Sequence, residues 1–190
     1  MVIELQIAAR TAKNKGETKR IRREGKIPCV IYAAGKEEQA SLSKEEFQSV
    51  IRNTTPGFLS TKIFLLKDQQ GNAQKVIVKD VQYDVGNYDV LHLDFQRLDD
   101  KRKVNINVPV ECKRQADCVG IKGGGFLRQA MRHIPVSCLP KDIPSHFELD
   151  IKDLDIGKAF RVKDIVAEKK VKFLANPEEV VVAVIKNTAA

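Results

Sequence analysis

The sequence predicts a mainly β protein in two domains, on three observations. Apolar and polar residues alternate in short runs along most of its 190 residues, the period of half-buried strands. Turn signals built from Gly, Pro, Asn and Asp separate those runs. The most polar five-residue run, Asp99-Asp100-Lys101-Arg102-Lys103, stands between two strand-like stretches. It marks a boundary between residues 1–98 and 99–190.

In order, Ile3, Leu5, Ile7 and Ala9 alternate with Glu4, Gln6 and Ala8 and predict a strand that leads into Arg10. A short helix follows, opened near Gly16 and ended by a left-handed cap at Gly25. Pro28 forbids its continuation, and Cys29 to Tyr32 reads as a strand. The segment from Ala33 to Lys36 reads as a loop. Ser43-Lys44-Glu45-Glu46 has the form of a capping box, and Phe47, Val50 and Ile51 give the helix it opens an apolar face.

Strands are then expected at Leu59–Leu66 and Gln74–Gln82, joined at Asp68–Asn72 as a hairpin, with Val76 and Val78 on the face opposite Lys75, Ile77 and Lys79. In Val90–Phe95 the alternation is most informative. Burying Leu91, Leu93 and Phe95 on one face obliges His92 and Asp94 to point outward together. In the second half, Val104–Cys112 alternates, with Pro109 indicating an edge strand. Phe126–Leu139 reads as one long strand after Gly123-Gly124-Gly125, and Phe147–Asp150 and Val180–Ile185 as two more. Asp153–Gly157 and Asn176–Glu179 read as turns.

Charge is concentrated in one place. Between Arg10 and Lys26 stand Arg10, Lys13, Lys15, Lys19, Arg20, Arg22, Arg23 and Lys26 against Glu17 and Glu24 alone, a net +6 of the chain's +8. A cluster of this kind supplies the sequence-independent part of nucleic-acid affinity, because each cation near a phosphate releases condensed counterions. Charge alone is equally compatible with a solvated basic surface helix.

Other classes find little support. No apolar run approaches the roughly 18 residues that span a bilayer, and the start of the chain lacks the pattern of a secretion signal, so a cytoplasmic protein with no membrane contact is expected. Cys29, Cys112, Cys118 and Cys138 form no C-x-x-C pair and the three histidines are scattered, which argues for reduced, mostly buried thiols and against zinc or any other cofactor. The glycine triplet lacks the spacing of a phosphate loop and reads as a backbone turn. His92 and Asp94 imitate a base and its orienting carboxylate, but no serine or cysteine nucleophile motif accompanies them, so no enzyme is expected. Tyr32, at the end of its strand, suits either the core or a stacking and hydroxyl role.

Taken together and in order, KGETKRIRREGKIPCVIY, DVQ followed by LHLDF, VNINVPV, GIKGGGFLRQ, IPVSCLPKDIP and LDIG resemble one family. It is the bacterial large-subunit ribosomal protein that binds 5S ribosomal RNA, in its long two-domain form of the general stress protein Ctc type. The resemblance covers nearly the whole chain. It implies an N-terminal six-stranded β-barrel with short helices that grips 5S ribosomal RNA, followed by a second all-β domain. It also implies a place on the large subunit beside neighbouring ribosomal proteins, and a monomer off the ribosome. The family's RNA-contacting positions fall on Arg10, Arg22, Tyr32, His92 and Asp94, with Lys15, Arg20, Arg23 and Gln82 as helpers. Two departures stand out: Ala33-Ala34 where relatives often have a glycine, and Tyr83–Tyr88 in place of a basic, proline-containing stretch. Contacts made by that loop are therefore not carried over. A stress-induced, intermittently bound RNA chaperone is the alternative to a permanent ribosomal constituent.

Overall fold

The computed structural model describes residues 3–10, 14–33, 35–166 and 170–186. Lys13 of the basic stretch and Ala34 lie outside the described residues. The chain divides into two compact units, Met1–Arg102 and Lys103–Ala190.

In the first unit, β1 (Ile3–Ala9), β2 (Lys26–Ala33), β3 (Lys36–Ser43), β4 (Ile63–Asp68), β5 (Ala73–Tyr83) and β6 (Val90–Arg97) close a barrel in the order β1-β3-β2-β6-β5-β4. Strands β1 and β4, and β2 and β6, run parallel; the other pairs are antiparallel. Helices α1 (Lys15–Arg23) and α2 (Lys44–Arg52) complete the unit. Closure leaves no unpaired edge, and period-two alternation sends one set of side chains into the lumen. Leu5, Ile7, Ile27, Cys29, Ile31, Phe64, Leu66, Leu93 and Phe95 fill it, Phe47 from α2 joins the same core, and Val50 and Ile51 pack against it. Phe64 and Phe95 meet edge to face with centroids 6.4 Å apart.

Several elements differ from expectation. Strand β3 is central, pairing with both β1 and β2, yet the sequence did not mark it: of KEEQASLS only Ala40, Ser41 and Leu42 are buried. Strand β2 begins before Pro28, which is tolerated because pairing to β6 starts only at Cys29. Helix α2 begins where expected, but Ser43 makes no side-chain cap bond. Ser43 still belongs to β3, and the Lys44 N–H donates to the Gly25 carbonyl instead, at 2.9 Å. Leu59–Thr61 is a 3-10 turn, so β4 starts only at Ile63. Ile77, expected outside with Lys75 and Lys79, is fully buried but apart from the barrel core. Leu91 is half-buried and outside that core; Val90 takes the inward place. Gly25 has φ +73°, the left-handed cap expected of it.

The second unit holds a four-stranded sheet, β10 (Phe147–Asp150), β7 (Val104–Lys113), β9 (His133–Cys138) and β12 (Lys172–Phe173), and a three-stranded one, β11 (Ala159–Arg161), β13 (Val180–Lys186) and β8 (Gly125–Gln129). A four-residue helix, α3 (Val119–Lys122), precedes β8. Strand β7 is interior rather than an edge. Pro109 sits where the pairing with β9 ends and that with β10 begins at Val110, so its missing N–H falls at a change of partner. The expected long strand is two strands in different sheets, broken where the Ala130 and Met131 N–H groups both donate to the Val181 carbonyl. The glycine triplet is a turn: Gly124 has φ +85°, and a Cβ on Gly125 would stand 2.6 Å from Val184.

The core of the first unit predicts its weakest point. Replacing Phe95 by Ala removes a fully buried ring beside Phe64 and should destabilise the barrel by about 3–5 kcal/mol. Urea unfolding followed by circular dichroism measures the loss, and a change under 1 kcal/mol would contradict this packing.

Candidate nucleic-acid interface

Strands β2, β6 and β5 are neighbours, and their outward positions form one wall. In register, Val30 of β2 stands beside Asp94 of β6, and Asp80 and Gln82 of β5 stand opposite Asp94 and His92. Tyr32, one alternation beyond Val30 and beside Gln96, is 41% exposed. Arg10 follows β1 directly. Its N–H donates to the Gln39 carbonyl at 3.0 Å, and Gln39 lies opposite Val30. The barrel thereby brings Arg10, from the start of the chain, to the wall of β2 and β6.

Helix α1 is held against that wall by a bond that spans 69 residues: Arg22 Nε donates to the Leu91 carbonyl at 3.1 Å. The helix has a single apolar residue, Ile21, and no buried one, so hydrophobic packing fixes it weakly and this bond matters more. Glu17 in its first turn and Arg20, Arg22 and Arg23 in its last suit the helix dipole. The structure brings Arg10, Arg22, Tyr32, Gln82, His92 and Asp94 together. Lys15, Arg20 and Arg23 stay exposed on α1 and make no hydrogen bond or ion pair with the wall among the described residues. Arg20 instead pairs with Glu24 at 3.5 Å, a solvent-exposed contact of small value.

Sequence reasoning missed Asp80. It faces Asp94 because a bulge between Val78 and Asp80 shifts the register of β5 on β6. Only the strand pairing reveals it.

The wall is electrostatically unsettled. His92 Nδ1 and Asp94 Oδ1 lie 3.2 Å apart but are misaligned, and each is shut from solvent with no hydrogen bond. Arg10 Nε is in the same condition. Unsatisfied buried polar atoms cost about 1–3 kcal/mol each, and native proteins seldom keep them without a use. Burial pushes the His92 imidazole below its ordinary value; Asp94 opposes this, while Arg10 and Arg22 reinforce it. A neutral imidazole offers one donor and one acceptor nitrogen. Asp94 in turn pushes the Tyr32 hydroxyl up, so it remains a protonated donor. Beneath the wall, burial raises the Cys29 thiol to about 12, which makes it an inert part of the core. The arrangement thus combines fixed cations, a carboxylate acceptor, a neutral imidazole and an exposed phenol on one rigid surface. Among the described residues no group of acidic, Cys and His side chains is arranged to hold a metal.

Comparison with known proteins adds the following. The ribosomal L25p family matches residues 5–95, and the C-terminal domain of ribosomal protein TL5 matches residues 103–188. Over 183 residues the chain is 38% identical to the large ribosomal subunit protein bL25 of Chlamydia trachomatis serovar L2, covering 96% of this chain and 98% of that protein. The bL25 proteins of Chlamydia caviae and Chlamydia pneumoniae are 38% and 36% identical over the same shares.

The lowered His92 value predicts a pH dependence. In the unfolded chain the imidazole takes up a proton near its ordinary value of 6.5; in the folded chain it does so only at lower pH. Unfolding therefore binds protons between the two values, and stability falls as pH drops below about 6.5 while staying flat above it on this account. Proton NMR titration should find His92 below its ordinary value of 6.5, and His92→Gln should remove its share of the slope.

Proposed function

The chain belongs to the bL25 family of large ribosomal subunit proteins, structural and non-enzymatic, and we propose that within the subunit its barrel binds 5S ribosomal RNA through the wall of β2, β5 and β6 together with α1. On this reading residues 1–98 are the RNA-binding domain and residues 99–190 take no part in that contact. The observation that carries the proposal is the meeting of three buried, unsatisfied polar atoms, on Arg10, His92 and Asp94, with an exposed basic helix at one face. A ligand rich in both phosphates and base-edge donors meets every one of those needs.

The roles follow from chemistry. Arg10 and Arg22, with Lys15, Arg20 and Arg23 beside them, neutralise phosphates and supply salt-dependent affinity. Asp94 repels a phosphate, so it fits only where a base amino or imino group donates to it. His92, neutral at physiological pH, contributes a directional donor or acceptor, and Gln82 opposite it does the same. Tyr32 offers a ring and a hydroxyl to a base or a 2′-hydroxyl.

Gel-shift titrations of the full chain against 5S ribosomal RNA and a scrambled RNA test this. Arg10→Ala and Arg22→Ala should each weaken binding and reduce the salt slope by about one, whereas Lys186→Ala should do neither. Asp94→Asn should cost about 1–3 kcal/mol on 5S ribosomal RNA alone, the scale of one good base contact. An unchanged ratio of 5S to scrambled affinity would remove Asp94 from recognition, and equal effects at Arg10, Arg22 and Lys186 would reduce the site to net charge.

A further inference from the structure

The loop that joins β5 to β6, together with the last residue of β5, displays large apolar side chains: Tyr88 is 80% exposed and Val85 94% in the loop, and Tyr83 45% at the strand end. Three such residues between Tyr83 and Tyr88 form a concentrated patch of the kind that marks a binding surface. The loop is nonetheless tightly built. Asp84 Oδ1 accepts from the N–H groups of Gly86 at 2.8 Å and Asn87 at 3.4 Å. The Asp84 N–H donates to the Asp89 carbonyl at 2.7 Å, and the Tyr88 N–H to the Asp84 carbonyl at 3.0 Å. Asn87 bonds Asp89 twice, through its amide nitrogen at 2.9 Å and its amide oxygen at 3.0 Å. Asp89 is tied to α2 by Lys44 at 2.7 Å and Gln48 at 3.4 Å.

Two consequences follow. Both carboxylates of the loop are occupied by the protein's own donors, which blunts the charge they would turn toward a polyanion. The same bonds hold Tyr88 at φ +56°, a left-handed conformation that a bulky side chain rarely adopts. Strain of this sort persists only where the surroundings impose it, and it collects at functional sites. Here it holds the phenol ring out in solvent on a stiff support.

The loop also continues the wall. It leaves the sheet after Tyr83, next to Gln82, which faces His92, and Leu91, whose carbonyl holds Arg22, lies three residues beyond Tyr88. We propose that Tyr88 is a stacking platform for an unpaired base of the RNA held by that wall, with Tyr83 and Val85 flanking it. This rests on the RNA-binding reading above. Continuity with the surface that carries Arg10 and the basic helix α1 favours RNA over a protein partner. A single rigid ring suits stacking, which tolerates any base because every base has a π-face.

The test titrates full-length variants against free 5S ribosomal RNA over a range of salt. Tyr88→Phe should bind as the unaltered protein does. Tyr88→Gly, which relieves the positive φ and keeps the loop folded, should bind about 5- to 100-fold more weakly with the same salt slope, since no phosphate contact is lost. Arg22→Ala runs beside it. If Arg22→Ala weakens binding and Tyr88→Gly does not, the platform is refuted and the RNA reading stands. Should Tyr88→Phe lose as much as Tyr88→Gly, the hydroxyl is the contact and stacking is wrong. Normal binding of Tyr88→Gly to free RNA with poor incorporation into large subunits would assign the loop to a protein neighbour instead. If the unaltered protein fails to prefer 5S over scrambled RNA, both readings fall together.

Discussion

The register of β6 in the closed barrel is the constraint on which the site depends. Leu93 and Phe95 are fully buried in the lumen, so period-two geometry leaves His92 and Asp94 no place but the outer wall, and a slip of one residue would exchange the two pairs. Strand β5 meets this fixed strand through a bulge. Without it Lys79 would stand opposite Asp94; with it Asp80 does, Val81 packs toward the core, and Gln82 faces His92. One extra residue therefore sets both the charge and the hydrogen-bonding capacity of the wall, a familiar use of bulges beside functional surfaces.

The parts legible in the sequence were those in which one short segment carries its own pattern. The alternation in β6 placed His92 and Asp94 outside before any topology was known, and Gly25 announced the end of α1. Strand β3 was illegible because its first half is polar and exposed at the barrel rim, so pairing with β1 and β2, rather than its own hydrophobicity, makes it a strand. Pro109 misled for a related reason: an edge and a change of pairing partner both leave a proline nitrogen unopposed. The run through 126–139 read as one strand because its break lies in two backbone bonds to Val181, which leave no mark on the local pattern.

The site shows the same division. The residue types were visible, but their meeting was not, since Arg10 reaches the wall only through the order in which the strands close. The bond from Arg22 to the Leu91 carbonyl uses a main-chain atom that any residue would supply, and no sequence signal encodes it. Asp80 is the clearest case: it enters the wall through a bulge that hydrophobic periodicity does not foresee.

These observations separate two kinds of contribution within one surface. The exposed cations of α1 sit on a helix with no buried residue, so their side chains keep rotamer freedom and suit non-directional attraction to phosphates. The wall residues are fixed by the barrel core and partly shut from water, where a polar group is worth more when satisfied and costs more when it is not. Asp80 and Asp94 facing each other across a ladder is unfavourable in itself, and Asp94 Oδ1 and Arg10 Nε are left without a hydrogen bond. Under the proposed function, this frustration at the rigid wall is relieved by a partner that supplies donors to the carboxylate and anions to the arginines at fixed positions. Random polyanions satisfy only the second need. On the proposed RNA-binding reading, discrimination belongs to the β6 wall, and the helix adds affinity that is largely indifferent to sequence.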